Sequence, residues 1–265
     1  MPNWLLRVLV SLAGIPLVLG MLWLGGWWLF ALVAVAAIVS LHEFYGMTRE
    51  LRPLVLAGYA GVIAALLGAH LGGVEWLVGG FLLTFVLGFF FFLVATTRAP
   101  ATVAISGTVL GAAWIGFGLA CVLLLRGIPE HGRLAVFTVV IAVWADDTAA
   151  YLVGRLVGRH KFSPALSPAK TWEGFVAGTI VAIATAFFCL YDTRKTFLSI
   201  WEAVLLGAVI ASAAALGDLF ESALKRDMRV KDSGRILPGH GGILDRVDAL
   251  LFAVPAAYFT IVALT

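Results

Sequence analysis

The chain has 265 residues, of which 62% are hydrophobic and 12% are charged, and its formal net charge is +3. Its mean hydropathy is +1.04, and apolar stretches recur from residue 5 to residue 264, which excludes a separate soluble domain. The slight net charge gives no reason to expect a nucleic-acid partner.

Nine apolar stretches are each long enough to form a membrane-spanning helix, since a bilayer core of about 30 Å needs roughly 20 residues. The alternation typical of membrane barrels is absent, which leaves helices as the spanning structure. The sequence therefore predicts an all-α polytopic membrane protein with a single membrane domain over residues 1–265. The predicted spans cover about residues 5–24, 27–47, 54–71, 75–96, 103–125, 134–153, 171–191, 199–220 and 245–264.

The first five spans, within residues 1–130, are predicted to form a scaffold and oligomer contacts. The first span starts like a signal peptide, but no small-residue cleavage pattern follows, so we expect an uncleaved helix. Only Gly25 and Gly26 separate it from the second span, and one kinked or re-entrant unit is the alternative. Glu43 is interpreted as a helix-end residue near the membrane interface, with a functional role as the alternative.

The basic residues indicate how the chain is oriented in the membrane. With the N-terminus in the cytoplasm, the inside segments hold 14 of the 18 lysines and arginines, and the outside segments hold four. By the positive-inside rule, the sequence predicts a protein of the cytoplasmic (inner) membrane whose C-terminus lies on the outer side. Two polar loops, residues 154–170 and 221–244, then face the cytoplasm, where nucleotides and metal ions are available.

Carboxylates lie near this face on three spans of the second half of the chain, residues 131–265. Asp146 and Asp147 are on the sixth span, Asp218 is on the eighth, and Asp245 and Asp248 open the ninth. Acidic groups at similar depth on neighbouring helices repel one another unless cations lie between them, so a divalent-metal site is predicted.

Other roles remain open for these acids. Asp147 and Asp218 would alternatively belong to an intramembrane ion pair, and Asp245 would alternatively cap the last helix. Asp146 and Asp147 are adjacent, so their side chains point about 100° apart on a helix. We therefore expect one of them to face the site while the other pairs elsewhere.

The loop of residues 154–170 leads into the seventh span. Ser167 and Pro168 are predicted to be the N-cap and first residue of that helix, which would put Lys170 in its first turn. A cation there opposes the helix dipole, so we expect a negative ligand near Lys170. Gly154 and Gly158 form a small-residue pair typical of close helix packing.

The most polar part of the chain is residues 222–248, SALKRDMRVKDSGRILPGHGGILDRVD, which hold six of the 18 basic and four of the 15 acidic residues. Such a mixture suits a phosphate-rich substrate held with a divalent metal. The glycines before the ninth span let backbone N–H groups approach an anion at a helix N-terminus. His240, between them, is interpreted either as a phosphate contact or acid/base, or as a structural hydrogen-bonding residue.

These residues resemble the signature of the phosphatidate cytidylyltransferase family, also called CDP-diacylglycerol synthases. The signature reads Ser-x-apolar-Lys-Arg-x4-Lys-Asp-x-small-x2-apolar-Pro-x-His-Gly-Gly-apolar-x-Asp-Arg-apolar-Asp, and the chain meets every fixed position from Ser222 to Asp248. Residues 147–151 and 167–174 also resemble the family, with Ala149 where a glycine is usual. The first five spans match only in hydropathy.

The resemblance implies an enzyme of phospholipid biosynthesis that converts CTP and phosphatidic acid to CDP-diacylglycerol and pyrophosphate by in-line attack of the lipid phosphate on the α-phosphorus of CTP. It implies Mg²⁺, paired with K⁺, and a homodimer, for which Gly111 and Gly116 would allow close helix contact. The implied metal ligands are Asp218 and Asp245, supported by Asp147 and Asp248, and the implied substrate-binding residues are Ser167, Lys170, Ser222, Lys225, Arg226, Lys231, His240, Gly241 and Gly242.

Two other classes of protein are alternatives. A different membrane transferase is the first, but the Asp-Gly-x2-Ala-Arg motif of CDP-alcohol phosphotransferases is absent from the sequence. A transporter is the second, since intramembrane acids are able to carry an ion. The predicted acids cluster at one face, however, and no inverted repeat is evident in the sequence.

Overall fold

The computed structural model describes residues 3–95, 99–234, 236 and 241–265, with side chains described from residue 12 onward. Within these residues the chain forms ten α-helices and one two-stranded hairpin. The helices are α1 (Asn3–Leu24), α2 (Gly26–Met47), α3 (Val55–Val94), α4 (Ala101–Gly111), α5 (Phe117–Arg126), α6 (Gly132–Val157), α7 (Trp172–Leu190), α8 (Ile200–Asp227), α9 (Leu244–Val247) and α10 (Leu250–Leu264). The antiparallel strands of the hairpin are β1 (Lys161–Ser163) and β2 (Ser167–Thr171).

Among the described residues, seven helical stretches are long and apolar enough to cross a membrane. They are Gly26–Met47, Val55–Val94, Ala101–Arg126, Gly132–Val157, Trp172–Thr193, Ile200–Asp227 and Leu244–Leu264. A shorter apolar stretch, Leu12–Leu24, lies in α1. The architecture is consistent with the predicted all-α polytopic membrane protein, while the count of nine spans and the orientation of the termini stay predictions.

Helix α3 contains two of the predicted spans, folded back on each other. It has 40 residues and is interrupted at Gly73, whose φ of 76° favours glycine. A β-carbon at Gly80 would lie 2.5 Å from the backbone of Ala64 and Ala65. Because residues on either side of Gly73 touch in this way, the two halves of α3 form an antiparallel helical pair without a separate loop.

The chain divides into two compact units. The first contains residues 1–127 and 227–247, and the second contains residues 128–226 and 248–265. Residues 227–247 therefore belong with the N-terminal helices, although they follow α8 in sequence. The assignment of residues 1–130 as scaffold and 131–265 as the catalytic half stays a prediction.

The first unit packs α2, α3, α4 and α5 around a core that includes Leu41, Phe44 and Ile115, all 0% exposed. A π-helical turn, Ala112–Gly116, joins α4 to α5 into one continuous span. Gly111 and Gly116 are buried within this core: a β-carbon would lie 2.7 Å from Leu41 Cδ1 at the first and 2.7 Å from Val62 Cγ2 at the second. The expectation that these glycines allow contact with a second copy is therefore wrong, because they accommodate side chains of their own chain.

The second unit is organised by the close packing of α6 against α7. A β-carbon at Gly174 would lie 2.6 Å from the carbonyl oxygen of Ala150, and one at Gly158 would lie 2.6 Å from Thr171 Oγ1. Gly154 also faces this contact, so the small-residue pair predicted from the sequence does serve helix packing. On α8, Gly217 lies against the start of α10 at Asp248 and Ala249.

The start of α7 differs from the prediction. Residues 167–171 form strand β2, and the N-cap is Thr171, whose Oγ1 accepts a hydrogen bond of 3.2 Å from Gly174 N. Ser167 and Pro168 are therefore not the N-cap and first helical residue, and Lys170 does not lie in the first turn. The expectation of a negative ligand from the helix dipole loses its basis, although Lys170 does meet an anionic group.

Candidate active site

A cavity of about 600 Å³ in the second unit contains several of the predicted site residues. Its lining includes Asp147 from α6, Asp218 from α8, and Ser167 and Lys170 from β2. These side chains come from elements separated by up to 71 positions in sequence, and the packing of the unit places them around one space. Four of the predicted site residues therefore lie around one cavity, while Asp245 belongs to the first unit.

Lys170 and Asp218 form an ion pair in the cavity, with 2.7 Å between Lys170 Nζ and Asp218 Oδ2. Their side chains are 24% and 37% exposed. Ser222, one turn further along α8, donates its hydroxyl to the other oxygen, Asp218 Oδ1, at 3.4 Å. Each carboxylate oxygen retains further lone pairs for another cation, so these contacts do not exhaust the binding capacity of Asp218.

Asp146 and Asp147 both line the cavity. Asp147 is exposed, whereas Asp146 is 6% exposed and lies directly against Gly178 of α7. Both residues therefore lie at the cavity, whereas the sequence led us to expect only one of them there. The absence of a side chain at Gly178 leaves room for Asp146 Oδ1, which lies against α7.

Two further cations, Arg155 and Lys161, line the same cavity beside Lys170. Sequence reasoning used them only to orient the chain and missed them as site residues. Their position was the available signal, because both lie within 15 residues of Lys170, Arg155 in the last turn of α6 and Lys161 in strand β1. Tyr151 accepts a 3.0 Å hydrogen bond from Arg155 Nη1, and Phe162 and Phe175 complete an aromatic part of the wall.

The hairpin that carries Lys161, Ser167 and Lys170 is fastened to α7 by Glu173. The Glu173 carboxylate accepts hydrogen bonds from His160 N at 3.2 Å and lies 2.7 Å from His160 Nδ1. The ring of Phe162 stacks on Phe175 with a centroid distance of 5.2 Å. The hairpin is therefore attached to α7 through two contacts, which fix the positions of the cations it carries.

Three more predicted residues of the second unit are Lys225 and Arg226, at the end of α8, and Asp248, just before α10. Lys225 is paired with Glu221 one turn earlier, at 2.5 Å, and Arg226 donates from Nε to the carbonyl oxygen of Leu166 at 3.4 Å. Asp248, at the start of α10, lies near the carboxyl groups of Glu221 and Asp218. A concentration of acidic groups thus borders the Lys170–Asp218 pair.

The first unit holds the remaining predicted residues, in the segment 227–247. Asp245 Oδ2 accepts hydrogen bonds from Gly242 N at 2.8 Å and from Ser233 N at 3.1 Å. Gly241 adopts a φ of 83°, and Lys231 is exposed. His240 lies outside the described residues.

The backbone N–H groups at the start of α9 do not face an open space. Those of Ile243 and Leu244 donate to the carboxylate of Glu43, and that of Gly242 donates to Asp245. The expectation of a glycine-rich cradle that offers these N–H groups to a phosphate is therefore wrong for these three residues.

Glu43 lies in the last turns of α2 but is buried within the protein. It is 5% exposed, and it contacts residues about 200 positions away in sequence. Hydropathy did not reveal this, because a single acid near the end of an apolar stretch is compatible with an exposed position.

Among the described residues, no group of three or more histidine, cysteine or acidic side chains is placed to hold a metal ion. The lining of the cavity instead includes Asp147 and Asp218, which come from two different helices. Mg²⁺ is bound by one or two carboxylates together with substrate phosphates and water, so this donor set fits that ion. It does not fit a closed structural zinc site, which takes four nitrogen or sulfur ligands.

The sequence model described as the cytidylyltransferase family matches residues 5–264 of this chain. The phosphatidate cytidylyltransferase of Mycobacterium bovis is 37% identical over 256 residues, which cover 88% of this chain and 80% of that protein. The protein of the same name from Mycobacterium tuberculosis is 37% identical over 256 residues, covering 88% of this chain and 75% of that one. That of Bacillus subtilis is 40% identical over 152 residues, covering 57% and 55% respectively.

Proposed function

Because the chain belongs to the cytidylyltransferase family, we propose that it transfers the cytidylyl group of CTP to phosphatidic acid, giving CDP-diacylglycerol and pyrophosphate. The relatives at 37–40% identity carry the name of this activity. The observation that carries the proposal to particular residues is the cavity in which Asp147 and Asp218 face three cations. Two anionic substrates meet in such a reaction, and the site must neutralise them.

The cations of the cavity match the substrates in charge. Arg155, Lys161 and Lys170 line one space of about 600 Å³, which is within the usual range for a small-molecule site. In the proposed complex they bind the phosphate oxygens of CTP and of the lipid. Exposed apolar side chains nearby, including Tyr151 and Trp172, suit the hydrocarbon part of a lipid whose headgroup enters this cavity.

Asp147 and Asp218 are the proposed ligands of Mg²⁺, with Asp245 and Asp248 as the further acids implied by the family signature. When bound, the ion would offset the negative charge that builds up where the two phosphate groups meet. The paired K⁺ implied by the family resemblance stays part of the proposal.

In the proposed reaction, an oxygen of the lipid phosphate forms a bond to the α-phosphorus of CTP. The bond between that phosphorus and the oxygen bridging to the β-phosphorus breaks, and pyrophosphate leaves with that oxygen and its electron pair. A phosphate monoester is already ionised at neutral pH, so the residues of this chain need not remove a proton from it. Their work is to hold both substrates in line and to stabilise charge.

Lys170 has two roles in the proposed reaction. In the structure it pairs with Asp218, and in the proposed complex it moves to a phosphate oxygen as Asp218 binds the cation. Ser167 and Ser222 orient phosphate oxygens, and Lys225, Arg226 and Lys231 are the further phosphate-binding cations implied by the family signature. We further propose a homodimer in the inner membrane with this cavity open to the cytoplasm, in line with the basic loops.

The test is product formation by the purified full-length protein. It is incubated in detergent with phosphatidic acid, Mg²⁺ and labelled CTP, with dCTP, ATP and no nucleotide as parallel arms. We expect lipid-linked CMP with CTP, and a loss on the order of 10² in turnover for Asp218→Asn. Asp192→Asn, an exposed acid outside the cavity, is the matched control.

Near wild-type turnover in Asp218→Asn, or full activity in excess chelator, would contradict the metal assignment. Lipid vesicles that pass a solute without nucleotide, and no lipid-linked CMP, would identify a carrier instead of a transferase.

A further inference from the structure

The buried carboxylate of Glu43 on α2 holds together the two ends of the segment 233–244. We propose that Glu43 is a positioning residue, which sets the arrangement of Ser233 and of residues 242–244 and through them the placement of Asp245. The functional part of this inference rests on the proposed cytidylyl transfer. Its structural part, the hold of Glu43 on the segment, is tested separately below.

Three donors converge on the Glu43 carboxylate. Glu43 Oε1 accepts from Ile243 N at 3.1 Å, and Oε2 accepts from Leu244 N at 2.8 Å. The hydroxyl of Ser233 donates to Oε2 at 3.4 Å. Ser233 lies at the beginning of the segment and the other two residues lie at its end, so one side chain joins both.

The fit around this carboxylate leaves no space for side chains on the facing residues. A β-carbon at Gly234 would collide with Glu43 Oε1, and one at Gly242 would collide with Ser233 Oγ and lie 2.5 Å from Glu43 Oε2. Gly234 and Gly242 are therefore matched to Glu43. This is a reason for their presence that differs from binding a phosphate.

Asp245 depends on the same residues. It accepts hydrogen bonds from the backbone of Ser233 and of Gly242, both of which touch Glu43. The carboxylates of Glu43 and Asp245 thus contact the same two residues, and a shift of Ser233 or Gly242 moves a donor of Asp245. Glu43 acts on Asp245 through these two residues and does not need to touch a substrate.

The energetic reason is that a buried carboxylate is tolerated only when it is hydrogen-bonded. Glu43 is 5% exposed, and its neighbours Leu41 and Phe44 are fully buried. The packing of α2 therefore fixes the position of the Glu43 backbone. In Glu43→Gln, an amide NH₂ group replaces one acceptor oxygen. It would then face the N–H group of Ile243 or of Leu244 instead of accepting from it.

The test compares Glu43→Gln and Glu43→Asp with Glu50→Gln, an exposed acid of the same unit, in purified full-length protein. We expect Glu43→Gln to lower kcat on the order of 10²-fold, since misplacement of a site group by about 1 Å has that effect, and to change KM for CTP less. Glu43→Asp, which keeps the charge, should recover part of kcat. Glu50→Gln should match the wild type.

The second readout is limited proteolysis with trypsin in detergent, which does not depend on activity. Arg229 and Lys231 are exposed immediately before the segment, and Lys195 is an exposed site in the other unit. In Glu43→Gln, we expect cleavage after Arg229 and Lys231 to become at least fivefold faster while cleavage after Lys195 stays unchanged.

A loss of kcat without faster cleavage after Arg229 and Lys231 overturns the inference, and so does faster cleavage at all three sites, which indicates general unfolding. Unchanged kcat in Glu43→Gln also overturns it. Should that variant not fold, Ser233→Ala removes one of the three donors and must show the same two effects to a smaller degree. A wild-type protein without CTP-dependent activity refutes the proposed function, and the cleavage rates still decide whether Glu43 holds the segment.

Discussion

Replacing Lys170 with glutamine distinguishes a functional cation from a structural ion pair. The pair with Asp218 is 2.7 Å long, but its side chains are 24% and 37% exposed. A pair open to solvent to this degree contributes less than about 1 kcal/mol to the free energy of unfolding. A hydrogen bond from a charged donor to a phosphate contributes about 1.5–3 kcal/mol. At about 1.4 kcal/mol for each factor of ten, Lys170→Gln should lower kcat/KM by about 10- to 100-fold.

The assay measures kcat/KM in detergent, once with CTP varied and once with phosphatidic acid varied, together with thermal unfolding in the same detergent. We expect a large loss of kcat/KM and a small change in the unfolding midpoint. Lys170→Arg, which keeps the charge, should retain more activity than Lys170→Gln. Lys195→Gln, at an exposed position outside the cavity, serves as the control for loss of a surface charge.

The opposite pattern would refute this reasoning. If the unfolding midpoint of Lys170→Gln fell by several degrees while kcat/KM stayed within twofold of the wild type, Lys170 and Asp218 would form the intramembrane ion pair considered from the sequence. The comparison is informative because the two roles predict effects on different quantities.

Two further predictions concern the same unit. Lys161→Gln should lower kcat/KM for CTP by about tenfold, because it removes one of the cations that line the cavity. The dependence of kcat/KM on salt concentration should also weaken. An unchanged salt dependence would place Lys161 outside the binding site. Gly174→Ala should lower the free energy of unfolding by about 1–3 kcal/mol, since its β-carbon would lie 2.6 Å from the carbonyl oxygen of Ala150 and separate α6 from α7. Thermal unfolding measures this, with Gly14→Ala, which meets no neighbouring atom, as the control.

The helical architecture could be predicted because membrane helices are encoded locally. A run of about 20 apolar residues is sufficient to identify a span, and the small-residue pair Gly154 and Gly158 indicated where two helices approach closely. Asp147 and Asp218 could be named for a related reason: a charge within an apolar stretch is costly and therefore conspicuous.

The parts that were missed depend on contacts between distant residues. Strand β2 looked like a helix start because Ser167 and Pro168 have capping preferences, but its pairing with β1 outweighs them. Lys161 reaches the cavity on strand β1 of the hairpin, and local patterns do not specify the path of that hairpin. Glu43 has its partners about 200 positions away in sequence, and no local pattern marks such a pairing.

The long separation between Glu43 and its donors has a consequence for biosynthesis. At a synthesis rate of about 5–20 residues per second, Leu244 emerges roughly 10–40 s after Glu43. Until synthesis reaches residue 227, the α2 carboxylate has none of the three donors described here, and the first unit lacks residues 227–247. The first unit is therefore completed late in synthesis. A nascent chain that stops after α8 would present Glu43 without these donors to the assembly and quality-control machinery of the membrane.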